Sequence, residues 1–204
     1  MALWNSSQED LTQKTGKKTK ITENGIYEVE IKEAYILNST KSKAQAVTIS
    51  FENDTNYGRT NFWFLKGDGT ENKFATKSLN RFLYLCKLKS ENLKQETRKV
   101  KLFDGKEIER VFLPDLEGKK IGLILEVAKE GDNINYEVKD FFDLKTRKTS
   151  DEILNKVDAD TVEFFREKYE KEAMNTPKQD DDLPYDTDKN ITTATSLDDD
   201  EFPF

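Results

Sequence analysis

The chain has 204 residues, 36% of them charged, with 33 Lys and Arg against 40 Asp and Glu and a mean hydropathy of −0.83. That length suits one ordinary domain with a tail, or two small domains, around a modest core. The absence of histidine removes the commonest general base and metal ligand, and a single cysteine excludes an intrachain disulfide or a multi-cysteine metal centre. No apolar leader or membrane-length apolar run is present, so a cytoplasmic protein without a cofactor is expected.

The net charge of −7 is unevenly placed. Residues 177–204 hold two lysines and nine acids, whereas residues 1–150 hold 27 bases and 23 acids. A mildly basic body with a strongly acidic end suits a protein that holds a polyanion with its body and other proteins with its end.

Residues 1–20 are polar and carry Lys14, Lys17, Lys18 and Lys20, which reads as a flexible basic arm. From Tyr27 the apolar residues alternate, with Tyr27, Val29 and Ile31 on one side and Glu28, Glu30 and Lys32 on the other, the pattern of a half-buried strand. A polar turn containing Lys41 and Lys43 leads to a second alternation, Val47, Ile49 and Phe51 inward and Thr48 and Ser50 outward. The third strand spans Arg59–Leu65. Thr60, Phe62 and Phe64 suit its core face, which leaves Arg59, Asn61 and Trp63 together on the other. Such a face offers stacking and phosphate-pairing groups, although a tryptophan in this position is also consistent with cover by another element.

After a turn at Lys66–Thr70 the period changes. Phe74, Leu79, Phe82, Leu83 and Cys86 share one helical face, so an amphipathic helix with a buried thiol is expected from about Lys73. Residues 87–101 are basic, and Asp104-Gly105 between alternating stretches predicts a hairpin. That hairpin is either a basic finger carrying Lys99 and Lys101 or a plain solvated ribbon. An apolar strand over Ile121–Val127 and an alternating one through Ile134, Tyr136 and Val138 follow, ending in adjacent Phe141 and Phe142 that suggest a bulge or an outward ring. Beyond Ser150 the chain reads as helical. Asp160 and Glu163 have capping-box spacing, and Val162, Phe165, Tyr169 and Ala173 form a stripe for the body or a second subunit. The acid-rich residues 177–204 are expected to be disordered.

The order strand, strand, strand, helix, hairpin, strand, strand predicts a mainly β fold, a five-stranded OB-fold Greek-key barrel with a helix between strands 3 and 4. The expected division is an arm over 1–20, a barrel over 21–148, a helical segment over 149–176 and an acidic tail over 177–204.

The chain closes on Asp198, Asp199, Asp200, Glu201, Phe202, Pro203 and Phe204, and Asp180-Asp181-Asp182-Leu183-Pro184-Tyr185 is an imperfect earlier copy. Acids stay in water while phenylalanine gains from burial, so this end reads as a hook for an apolar pocket rimmed by Lys or Arg. An acidic run closing in Pro-Phe resembles the tail of bacterial and phage single-stranded DNA-binding proteins. Glu201-Phe202 departs from the single aliphatic residue usual before Pro-Phe. The body fits the phage type better than the bacterial one. The resemblance implies an OB barrel that coats single strands, and a tail, residues 198–204, that recruits replication, recombination or repair proteins.

Under that reading the expected stacking residues are Trp63, Tyr57 and Tyr35, and the expected phosphate ligands are Arg59, Lys41, Lys43, Lys66, Lys99 and Lys101. These assignments rest on strand alternation and loop position. No catalytic role is expected, and self-association into a homo-oligomer is left open. Two other classes remain: a protein-only interaction module, which leaves the basic body idle, and a carboxylate-metal nuclease, which finds no paired acid-and-lysine motif on strands.

Overall fold

A computed structural model describes residues 17–101, 105–131 and 133–175. The hook at 198–204, the earlier acidic copy, the tail, Trp4 and most of the expected arm lie outside these residues.

The fold is mainly β. Among the described residues the eight strands are β1 (Thr19–Lys20), β2 (Gly25–Asn38), β3 (Gln45–Glu52), β4 (Asn56–Leu65), β5 (Glu96–Lys101), β6 (Glu107–Phe112), β7 (Lys120–Glu130) and β8 (Asn133–Phe142). Helix α1 (Lys73–Leu85) follows β4, and α2 (Ser150–Asn155) and α3 (Asp160–Asn175) follow β8.

β2 organises the sheet. Its first half pairs with β7, from Gly25↔Leu125 to Glu30↔Lys120, and its second half pairs with β6 through Tyr35↔Phe112. Its other edge pairs with β3 from Glu30↔Glu52 to Asn38↔Gln45, with a register shift between Ile31 and Glu33. That irregularity bends the strand, so one element serves two diverging parts of the sheet. The resulting order is β1-β4-β3-β2-β6-β5, with β7 and β8 branching from β2.

The expected closed five-stranded barrel is not observed, because the sheet is open between β4 and β8. The N-terminal segment takes the start of the free edge of β4: Thr19 and Lys20 pair in parallel with Asn56 and Tyr57, and the Ile21 N–H donates to the Tyr57 carbonyl (3.1 Å). β8 meets β4 through side chains instead. Thr60 Oγ1 donates to the Tyr136 carbonyl (3.1 Å), and the Tyr136 hydroxyl donates to the Ile21 carbonyl (2.9 Å).

Both faces of the β7–β8 region are covered, so the local alternation there is lost. Ile121 to Leu125 are all buried, and so are both Phe141 and Phe142. Adjacent strand residues point to opposite faces. Phe141 joins Phe62 and Phe82 on the α1 side, with ring centroids at 5.8 and 5.1 Å. Phe142 enters a second cluster with Ile124, Val162 and Tyr169 on the α3 side. Neither ring is outward, as one expectation had it.

α1 buries Phe82, Leu83 and Cys86 as its period dictates, but Phe74, in its first turn, is 88% exposed. The helix stops in a Schellman arrangement. Lys87 takes φ 58°, the Leu88 N–H donates to the Leu83 carbonyl, and the Lys87 N–H donates to the Tyr84 carbonyl.

The capping box lies earlier than expected. Asp160 is already the first helical residue of α3, and the box is formed by Thr149 and Glu152 at the start of α2. Glu152 also accepts from the Thr161 N–H (2.7 Å), so one carboxylate serves the first turns of both helices. Val162, Phe165 and Tyr169 pack on the sheet, while Ala173 is exposed. No helix among the described residues is long and apolar enough to cross a membrane.

Candidate nucleic-acid interface

β4 buries every second residue. Gly58, Thr60 and Phe62 face the core, while Tyr57, Arg59, Asn61 and Trp63 are exposed on the other face. The core side is fixed by close packing: a Cβ at Gly58 would meet the Phe51 ring at 2.7 Å. Tyr57 and Trp63, 41% and 37% exposed, stand six residues apart, about 20 Å along a strand.

β3 supports this row from beside it. Asn61 sits opposite Thr48 and Arg59 opposite Ser50. Thr48 Oγ1 donates to the Asn61 side-chain oxygen (2.8 Å), which leaves the Asn61 NH₂ as a donor on the open face. Arg59 Nε donates to Ser50 Oγ (3.2 Å), which holds the guanidinium chain across β3 while its terminal nitrogens remain donors. The open face therefore presents two aromatic surfaces and two sets of anchored donors.

Cations flank both ends of the row. Beyond Trp63, the turn after β2 and the turn after β4 meet where the Lys43 N–H donates to the Gly67 carbonyl (3.1 Å). This brings the exposed Lys41, Lys43 and Lys66 to one end of the sheet, and none makes an ion pair among the described residues. At the Tyr57 end a groove of ≈ 760 Å³ is lined by Lys20, Lys32, Glu52, Tyr57, Arg59 and Tyr136, among others. Glu52 there is bound by Lys18 (2.7 Å) and Lys32 (3.5 Å). The Lys18 hydrogen bond outweighs burial and holds the Glu52 carboxyl below its ordinary range. Lys20 was expected only as part of a flexible basic arm, whereas here it lies in β1; Lys32, Glu52 and Tyr136 had no sequence signal as site residues, because they come from three separate strands.

Three expected site residues are not joined to this row. Tyr35 shares the face, opposite Thr48, but is only 4% exposed. Its ring packs on Phe112 (5.5 Å between centroids), and the Arg110 guanidinium sits 4.6 Å above it. It is a floor under the hairpin and has no open surface to offer a base. Lys99 and Lys101 lie on the opposite face of the sheet, because the register carries Tyr35 through Phe112 to Glu96, Arg98 and Val100. There they stand across from Glu109 and Glu107. Arg98, on the face of Tyr35 and Phe112, is held by Glu96 (2.8 Å) and Glu117 (2.7 Å), and those two carboxylates raise its pKa above the usual guanidinium value.

Among the described residues no group of three His, Cys, Asp or Glu side chains is placed to hold a metal ion. No protein-family model matches the chain, and no curated protein matches it either.

Proposed function

We propose that the protein binds single-stranded DNA without sequence preference, along the exposed face of β4. The observation that carries this reading is the row Tyr57, Arg59, Asn61 and Trp63 on one open face, with Lys41, Lys43 and Lys66 beyond one end and Lys20 and Lys32 beyond the other. Every base has a π-face, so stacking on Trp63 and Tyr57 discriminates little between sequences. Each stacked base is worth on the order of 1–3 kcal/mol. The lysines and Arg59 neutralise phosphates and release counterions, which makes affinity fall with salt.

The finer architecture belongs to the same proposal. Three strands, a helix and two strands, with β2 shared between β3 and β7, follow OB-fold order, and the β5–β6 hairpin is then an insertion before the fourth barrel strand. The resemblance of residues 198–204 to the tails of single-stranded DNA-binding proteins supports a role in replication, recombination or repair, with the tail recruiting other proteins.

The test is a fluorescence titration of the Trp4→Phe protein, which retains Trp63 alone, with poly(dT) and with duplex DNA of equal phosphate content. Salt-sensitive quenching by the single strand and none by the duplex is expected. If poly(dT) leaves Trp63 emission unchanged and is not retained in filter binding, the DNA reading fails, and a protein-only interaction module takes its place.

A further inference from the structure

The seam between α1 and α2 is a second surface that the DNA reading leaves unused. A groove of ≈ 420 Å³ runs along it, with Lys73, Lys77, Arg81 and Tyr84 of α1 on one wall and Ser150 and Leu154 of α2 on the other. Lys77 and Tyr84 stand two turns, about 10 Å, apart along one side of the helix. Tyr84 is 43% exposed and Leu154 61%. One end of the groove is therefore an open apolar slot, and the end at Lys73 and Lys77 is cationic.

The groove holds donors that the fold does not use. Ser150 is 2% exposed, and its hydroxyl has no hydrogen-bond partner among the described residues. The same is true of Arg81 Nε, although the other guanidinium nitrogens are held by Asp140 (3.3 Å) and Asp151. A buried donor left unpaired costs stability that an acceptor restores. Lys73 and Lys77 make no ion pair among the described residues. Asn72 gives α1 no side-chain cap and no acid stands in its first turn, so side chains leave the positive end of the helix unneutralised. Two carboxylates oppose these groups. Asp151 is taken by Arg81, and Glu71 remains. That balance suits one phosphate group and not a run of them.

We propose that the α1–α2 seam binds a free mononucleotide, with its terminal phosphate against Lys73, Lys77 and the Ser150 hydroxyl and its base on Tyr84 and Leu154. Both orphaned groups are donors, which calls for an acceptor, and an ionised phosphate offers three strong acceptor oxygens. The Tyr84 ring beside an exposed leucine takes the flat face of a base. The groove volume lies within the range of small-molecule sites, about 300–1,000 Å³. A free nucleotide fits this groove better than a strand does. Its terminal phosphate brings its charge and oxygens to one place, whereas a strand spaces single charges along a path flanked by Glu71 and Asp151. No residue of β4 lines the groove, so the inference goes beyond DNA binding and stands whether or not single strands bind.

The experiment titrates the full chain with AMP, adenosine and inorganic phosphate, read by calorimetry and by backbone amide shifts. AMP is expected to move the amides of Lys73, Lys77, Tyr84 and Leu154. It should bind at least about tenfold more tightly than adenosine or phosphate, because its linked base and phosphate act together. Lys73→Ala/Lys77→Ala should weaken AMP at least about fivefold, and more so at low salt. Ser150→Ala separates a ligand role from a structural one. A hydrogen bond to a charged group is worth roughly 10- to 150-fold in affinity, so AMP binding should fall by that factor. The urea midpoint should not fall, because the hydroxyl has no partner to lose. No AMP binding, AMP no tighter than phosphate, shifts centred on Arg59 to Trp63, or unchanged affinity in Ser150→Ala overturns the proposal. So does oligo(dT) that binds the seam more tightly than AMP, which would make it a strand path. The AMP arms contain no single strand, so their failure is told apart from failure of the poly(dT) titration.

Discussion

Replacing Gly122 by alanine tests the position where, among the described glycines, an added Cβ meets its neighbour most closely. Gly122 sits opposite Phe142 in the β7–β8 register, and both are buried. A Cβ at this position would fall inside the van der Waals envelope of Phe142 Cε1, Cε2 and Cζ. The ring has nowhere to retreat. It lies against Ile124, Val162 and Tyr169 in the α3 cluster, and the Arg147 guanidinium stands 4.8 Å from its centroid. Two effects oppose each other. Alanine stabilises by about 0.4–1 kcal/mol through the unfolded chain, whereas overpacking costs about 1–3 kcal/mol, at the upper end where neighbours are fixed. The clash wins, and a net loss of about 2 kcal/mol is expected. For a chain of this size that lowers Tm by roughly 4–8 °C. Urea unfolding followed by far-UV circular dichroism measures it. The decisive arm is a double-mutant cycle with Phe142→Ala, in which removal of the ring makes room for the new methyl. Gly122→Ala should then stabilise by the remaining about 0.4–1 kcal/mol, giving a coupling of about 2.4–3 kcal/mol. Equal costs on both backgrounds would refute the contact argument.

The Glu152 carboxylate accepts from Thr149 and Thr161 with different oxygens, so Glu152→Gln leaves one N–H without an acceptor and should cost about 1–2 kcal/mol. Burial pushes the Glu152 carboxyl up, but its backbone and hydroxyl donors outweigh burial and set it below the usual range. Its contribution is therefore full above the ordinary glutamate pKa and lost as pH falls through the lowered value, and the gap between wild type and Glu152→Gln should close at that acidic end of a urea-midpoint profile. Lys156 ends α2 with φ 55°, so Lys156→Gly should stabilise by about 1 kcal/mol, and a lower urea midpoint would contradict this. In equilibrium binding to poly(dT), Trp63→Ala should weaken affinity roughly 5- to 150-fold. Lys99→Ala/Lys101→Ala, on the other face of the sheet, should change it by less than about twofold. A larger loss from the hairpin pair would move the binding face. Removing Lys41, Lys43 and Lys66 together should flatten the slope of log affinity against log salt by about 2, and an unchanged slope would show that these side chains hold no phosphate.

The strands were legible wherever one face of the sheet is covered and the other is open. β4 is the clearest case: its two-residue period separated Thr60 and Phe62 from Arg59, Asn61 and Trp63, and the structure buries the first pair and exposes the second set. The same period failed in β7 and at Phe141 and Phe142, because α1 and α3 cover both faces there and an apolar run carries no alternation. Local sequence placed the helix after β4 and its buried stripe of Phe82, Leu83 and Cys86, but it also counted Phe74, which falls beyond the reach of the core.

The order and period of the elements were determined by the sequence itself, because steric alternation and helical repeat act over a few residues. Which residues share a site was decided only by tertiary structure. Tyr35 and Tyr57 both belong to one face, yet Arg110 and Phe112 roof the first, and among the described residues the second is left 41% exposed. Lys99 is separated from Trp63 by the register of four strand pairings, each set by contacts distant in the chain. The open sheet has the same origin. Thr19 to Ile21 take only the Asn56–Tyr57 end of the β4 edge, and β8 reaches β4 through Thr60 Oγ1 and the Tyr136 carbonyl without a strand ladder.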